Sequence, residues 1–242
     1  MRKQKIFLFI AVFFYVISSP ADIFAQRGGS SGGALEIKLA SPLPRNSPWG
    51  QTLDRIASEW ARVTNNEVRL RILHNGQEGG EAQMLASLSS NNIQAALFTS
   101  FGLSTICPSI LTLSVPFYIK TDAQLTAVLR EVTPIMEDQV AKTDFFVVAW
   151  SKVGWVNVFS KDPVFVPDDL RRMRIATNSE SKDLNTVLKT MGFQMVEAEM
   201  NDVGTKLMSG AIAAIYQNPA AVVAFQLHRT LRNMMATPIA PA

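Results

Sequence analysis

Chemistry-bearing residues are scarce in this chain. Cys107 is the only cysteine among 242 residues, which excludes an intramolecular disulfide and argues against a thiolate metal cluster. The two histidines, His74 and His228, stand far apart, with no H-E-x-x-H or comparable ligand spacing. No phosphate-cradling loop is found either. "HNGQEGGE" (74–81) lacks the Lys-Ser/Thr of a P-loop and reads as a strand-to-helix turn. Neither basic nor acidic residues are in marked excess. The formal net charge is +3, and without residues 1–25 it falls to 20 basic against 19 acidic residues, so no nucleic-acid partner is expected. Long apolar runs occur in one place only. "IFLFIAVFFYVISS" spans residues 6–19, short of the roughly 20 residues a bilayer crossing needs. With Arg2, Lys3 and Lys5 before it and Ala21 or Ala25 after it, residues 1–25 read as a secretory signal peptide. An exported chain without disulfides relies on its core, which suits a bacterial periplasmic protein.

Residues 26–34 follow as a flexible linker, "QRGGSSGG" making up most of it. Gly28-Gly29-Ser30-Ser31-Gly32 satisfies the G-x-S-x-G pattern of serine hydrolases. That chemistry needs the serine on a tight strand-to-helix turn, and no strand precedes it, so the match is rejected. From residue 35 strand and helix signals alternate. "LEIKLA", "EVRLRIL" and "IQAALFTS" read as strands. Ser47-Pro48 offers an N-cap and a preorganised first turn to a helix with Trp49, Leu53, Ile56, Ala57 and Trp60 on one face. "GGEAQMLASLSS" reads as a second helix, "LTLSVPFYI" as an apolar run broken by Pro116, and a helical stretch then reaches about residue 141. "DFFVVAW" and "GWVNVFS" read as strands.

The rest repeats that rhythm. Strands at "RMRIAT", "FQMVEA" and "AIAAIY" alternate with helices at "SKDLNTVLKTM", "NDVGTKLMSG" and "PAAVVAFQLHRTLRNM". Repeated strand–helix–strand units predict an α/β fold with mostly parallel sheets. Its ligand is expected beyond the carboxyl ends of the strands. No carboxylate pair stands out for hydrolysis, so a binding protein is expected rather than an enzyme, with no cofactor and no metal.

Several stretches together resemble one family. "SVPFYIK", "PDDLRRMRIA" and "MGFQMVEAEMNDVGTKLMSGAIAAIYQNP", behind an export signal, are similar in order and spacing to the periplasmic solute-binding subunits of TRAP transporters (the DctP-like family) over about residues 35–240. The resemblance implies a two-lobed, periplasmic-binding-protein type II-like fold that closes over a ligand. Residues 35–152 would form lobe I, and 153–242 an incomplete lobe II shortened at the C-terminus. It also implies delivery of a small organic acid to a membrane permease. The family's carboxylate-gripping arginine falls on Arg174, whose planar guanidinium can donate two parallel hydrogen bonds. Arg171 and Arg172 are expected to face water. The family's asparagine before proline matches Asn218, beside Gln217, and the same asparagine can equally cap the helix that begins at Pro219.

One departure bears on the ligand. In the neighbourhood where acid-binding members carry a second arginine, this sequence has "KVGWVNVF" (152–159), with Trp155 and no arginine, and Lys152 is expected to be out of register. A dianion facing a single cation in a closed cleft is poorly neutralised. The expected ligand is therefore a monocarboxylate with an apolar body, packed on Trp155 and Phe101. The rival reading is a binding or assembly protein for a hydrophobic or lipid-like ligand, working with a helical-repeat periplasmic partner. An exported hydrolase has no sequence feature in its favour.

Overall fold

Alternating apolar residues in "LEIKLA" and "VRLRIL" make β1 (Leu35–Ala40) and β2 (Val68–Leu73). The two pair in parallel, with Ile37 opposite Leu70. A parallel pair needs a crossover, here α1 (Pro48–Val63), which starts as the sequence predicts. The Ser47 hydroxyl accepts from Gly50 N at 3.1 Å, satisfying an otherwise orphaned helix donor. After β2 comes α2 (Glu81–Ser89). The short β3 (Ala95–Ala96) then joins the far side of β1, so the first sheet is ordered β2-β1-β3. Met84, Ile93, Ala40 and Leu73 form its core. The structure, a computed structural model, describes residues 34–177 and 182–242. The expected signal peptide (1–25) and nearly all of the linker (26–34) therefore lie outside the described residues.

Between the sheets in sequence run α3 (Ser100–Leu103), a 3-10 turn (Pro108–Ser114) and α4 (Asp122–Ala141). Cys107 is fully buried beside Ile110, Met136 and Val140 and acts as a small apolar side chain. The second sheet holds β4 (Trp155–Ser160), β5 (Arg174–Thr177), β6 (Gln194–Glu197), β7 (Ala214–Gln217), β8 (Asn233–Met234) and β9 (Ala240–Pro241). The helices α5 (Pro167–Arg171), α6 (Lys182–Thr190), α7 (Met200–Met208) and α8 (Pro219–Ala224) are interspersed. The strand order is β6-β5-β7-β4-β8, with β9 also on β4. Leu207, Ile212, Ile215, Val222 and Phe159 make its core.

The sheets are mostly parallel with one exception, and two other expectations change. The first sheet is wholly parallel, and β5 is parallel to both β6 and β7, but β4 runs antiparallel to β7, β8 and β9. "DFFVVAW" has a strand's pattern but joins no ladder among the described residues. The helix opened by Pro219 stops at Ala224, because Gln226 turns left-handed at φ 57° and a 3-10 turn (Leu227–Arg229) carries Leu227 into the core. His228 is left exposed.

Candidate functional site

In parallel sheets the loops beyond the carboxyl ends of the strands gather the binding groups. Beyond β2 lie His74, Asn75 and Gly76, and beyond β3 lie Thr99 and α3. In the second sheet Ala198, Glu199 and the first residues of α7, Met200 and Asn201, follow β6, and Gln217 ends β7 with Asn218 just beyond it. Because β4 is antiparallel, with Asn157 opposite Gln217, its amino end brings Trp155 to the same edge.

The two edges meet. Asn201 Nδ2 donates to the Asn75 carbonyl at 3.2 Å. A Cβ placed on Gly76 would lie 2.8 Å from Asn201 Nδ2, and one on Gly80 would lie 2.9 Å from Glu199 Oε2. Gly76 also has φ +63°, so close approach and left-handed backbone both call for glycine there.

Trp155 is half-buried at this edge. Its Nε1 donates to Asp122 Oδ1 at 3.1 Å, and the Lys152 ammonium ion-pairs with the same oxygen while lying 5.0 Å from the indole centroid. The Lys152 hydrogen bond, more than any other contact, holds the Asp122 carboxyl below its usual range. Asn218 and Gln217 form a second knot. Asn218 Oδ1 accepts from Ala221 N at 2.8 Å, capping α8. The Asn218 backbone N and Nδ2 both donate to Gln217 Oε1, at 2.9 and 3.0 Å. Asn218 is thus a buried cap, and one amide hydrogen remains beyond those bonds. Phe101 lies half-buried in α3, whose cap Thr99 is tied to Glu81 by N and Oγ1 at 2.5 and 2.8 Å.

Arg174 is elsewhere. It is the first residue of β5, and Ala176 faces Ile215 of the parallel β7. About three residues of strand, roughly 10 Å at 3.3 Å per residue, separate it from the carboxyl edge. Its side chain is exposed, and Nη2 donates to the Gly210 carbonyl at 2.6 Å. Gly210 follows the end of α7, where orphaned carbonyls favour a cation. The structure therefore differs from the expectation of a guanidinium at the cleft mouth, and it does not bring Arg174 together with Asn218, Gln217, Trp155 or Phe101. Arg171 also departs from a solvated role: it pairs with Asp168, donates from Nε to Met191 O at 3.0 Å and stacks 5.3 Å from the Phe193 centroid. Arg172 faces water as expected.

One group at the edge escaped the sequence. His74 is 4% exposed. Its Nε2 meets Asp54 Oδ1 at 2.9 Å, and Arg45 Nε donates to Asp54 Oδ2 at 3.0 Å. Among the described residues His74 Nδ1 has no partner. The hydrogen bond from His74 is the largest influence lowering the Asp54 pKa. No spacing rule marks a His paired to an Asp twenty residues earlier; only its place at a strand's carboxyl end gives a signal.

The profile of the bacterial extracellular solute-binding protein family 7 (DctP) matches residues 39–241, and the chain belongs to that family. A solute-binding protein of Sulfitobacter sp. (strain NAS-14.1) is 22% identical over an alignment of 211 residues that covers 83% of this chain and 62% of the relative. The chain thus spans less than two thirds of that curated relative's length. Among solved structures, a TRAP periplasmic solute-binding protein from Xanthobacter autotrophicus Py2 with bound β-D-galacturonate superposes with TM-score 0.76 at 20% identity. The match covers 85% of this chain and 70% of that one. One from Sulfurospirillum deleyianum with bound succinate gives TM-score 0.77 at 20% identity, covering 86% and 69%. One from Pseudomonas aeruginosa PAO1 with bound L-malate gives 0.74 at 12%, covering 86% and 73%. At these identities the likeness establishes the fold.

Proposed function

We propose that this chain is the exported solute-binding subunit of a TRAP-type importer, which takes up a small organic acid in the periplasm and hands it to a membrane permease. Lobes of residues 35–152 and 153–242 would close over the ligand, with no cofactor and no covalent step. The observation that carries this reading is the meeting of the two carboxyl edges at Asn75–Asn201 and Gly80–Glu199, in a chain of this family. Structural neighbours with bound galacturonate, succinate and malate support the choice of ligand class. Nothing comparable favours a lipid-like ligand or a helical-repeat partner.

The ligand would lie against Trp155, Phe101, Gln217 and Asn218. Lys152 and the Trp155 indole N–H already converge on one carboxylate oxygen, that of Asp122. A cation and an N–H donor aimed at one oxygen are what an incoming acid needs, and its carboxylate would displace that of Asp122. Gln217 and Asn218 would meet hydroxyl or carbonyl groups at the other end, and the Trp155 and Phe101 rings would flank the carbon skeleton. With the single cation Lys152 at this knot, a monocarboxylate fits better than a dianion. Native mass spectrometry of protein purified without denaturation tests the class: a retained acid of sugar or short-chain size supports it, and a fatty or sterol-like mass overturns it.

A further inference from the structure

The three arginines of "LRRMRIA" belong to a wider basic edge. Ser160, the last residue of β4, faces Ala214 and Asn233, the first residues of β7 and β8. This is the amino edge of the second sheet, away from Trp155 and Asn218. Lys161 follows β4, Arg171 and Arg172 lead into β5, and Arg174 opens it. Lys189 stands in the last turn of α6, ahead of β6, and Arg232 precedes β8. The same segments hold only three acids, Asp162, Asp168 and Asp169. Asp168 is taken by Arg171. The strand order β6-β5-β7-β4-β8 spreads the cations over four interstrand gaps, about 19 Å in all. That span matches about six residues of extended chain rather than a small ligand.

At the β8 end of this edge lies a groove of about 450 Å³, with Val164, Phe165, Met234 and Arg232 among its walls. Phe165 is 87% exposed and Met234 51%. Phe165 is nonetheless held in place. Asp169 Oδ2 accepts from both Phe165 N and Val166 N, and Pro163 and Pro167 restrict the backbone on either side. Val166 is extended, as a residue before proline prefers. A large ring presented in this way loses little conformational freedom on binding. The Arg232 guanidinium has no partner among the described residues.

We infer that this edge is a docking surface for an acidic segment of another protein. One large apolar side chain of that segment enters the groove between Phe165 and Met234. Carboxylates at alternate positions then follow the edge across Arg174 and Arg172 towards β6. Charge complementarity sets the class of partner, and the groove sets its register. A concave seat suits a side chain better than a bilayer. Asp162 and Asp168, three residues to either side of Phe165, also repel an anionic lipid surface. The surface lies apart from the proposed acid site and does not depend on that reading.

The probe is a dye-labelled synthetic peptide with a central phenylalanine and alternating glutamate and serine on both sides, titrated with the full chain and read by fluorescence anisotropy. Saturable binding is expected at about 20 mM salt, weakened at least tenfold at about 300 mM. Arg232→Glu and Phe165→Ser, both at exposed positions, should keep the melting temperature and each weaken binding at least tenfold. A peptide with serine in place of its phenylalanine should bind at least tenfold more weakly. Absence of saturable binding at low salt overturns the inference. So does a Phe165→Ser chain that binds as tightly as the parent, because charge alone then accounts for the binding. Two other results overturn it by revealing a different occupant: release of the bound peptide by phosphatidylglycerol vesicles, or a dimer formed without peptide that both variants dissociate.

Discussion

Arg171, Arg172 and Arg174 lie within four positions, and their different fates are the sharpest result at the residue scale. Their identities and the likeness of "LRRMRIA" to a family motif are legible in the sequence, but which end of β5 Arg174 occupies, and what Arg171 meets at the end of α5, are not. Register along β5 is set by its pairing with β6 and β7, which no local pattern encodes. Arg174 consequently reaches a helix-terminal carbonyl at Gly210, and Arg171 is held by Asp168, Met191 and Phe193. Arg174→Ala is expected to lower the thermal midpoint by a few degrees and to leave ligand affinity within about twofold. Its lost bond, made by an exposed side chain, contributes on the order of 0.5–1.5 kcal/mol. If calorimetry instead shows a loss of about 2–5 kcal/mol, the range for truncating one partner of a desolvated charge pair, Arg174 is the anchor and the cap reading fails.

Among elements, the segments that sequence reading misplaced are those whose fate depends on a distant partner. "FFVV" alternates correctly, but a strand exists only where another backbone pairs with it. The helix from Pro219 has suitable residues beyond Ala224, yet burying Leu227 and Leu231 in the second core takes the chain out of helical register at Gln226. By contrast α1 was legible to its first residue, because Ser47 and Pro48 act locally.

Several element ends also rest on carboxylates, which makes stability depend on pH. Asp169 accepts from Phe165 N and Val166 N at 2.9 and 3.0 Å where α5 begins, and these bonds lower its pKa, Phe165 most. Asp54 and Asp122 are lowered by His74 and Lys152 respectively. A carboxyl whose folded pKa is depressed adds stability above its unfolded value, about 3.9, and loses it as pH falls through the folded value. The urea midpoint is therefore expected to hold steady from neutral pH to about 5 and to drop below about 4. Asp169→Asn should flatten part of that drop. A midpoint that rises on acidification below pH 4 contradicts these assignments.

For the molecule as a whole, the α/β class and the order of elements could be read from alternating apolar patterns, and the family from motifs spread over most of the chain. The meeting of the two sheets could not, since Asn75 and Asn201 are 126 residues apart. Nor could the Lys152–Asp122–Trp155 knot, which joins the start of α4 to the start of β4. Under the proposed function, a ligand seated at these edges would stabilise a closed arrangement by binding it better than an open one. The most direct measurement is isothermal titration of the chain with D-glucuronate, D-galacturonate, L-gulonate, succinate and L-malate, repeated on Lys152→Met and Trp155→Ala. Saturable binding of at least one of the monocarboxylates is expected, weakened at least tenfold in both variants, or about 1.4 kcal/mol. Absence of binding across the panel, or binding that both variants leave intact, contradicts an acid site at the opposed carboxyl edges.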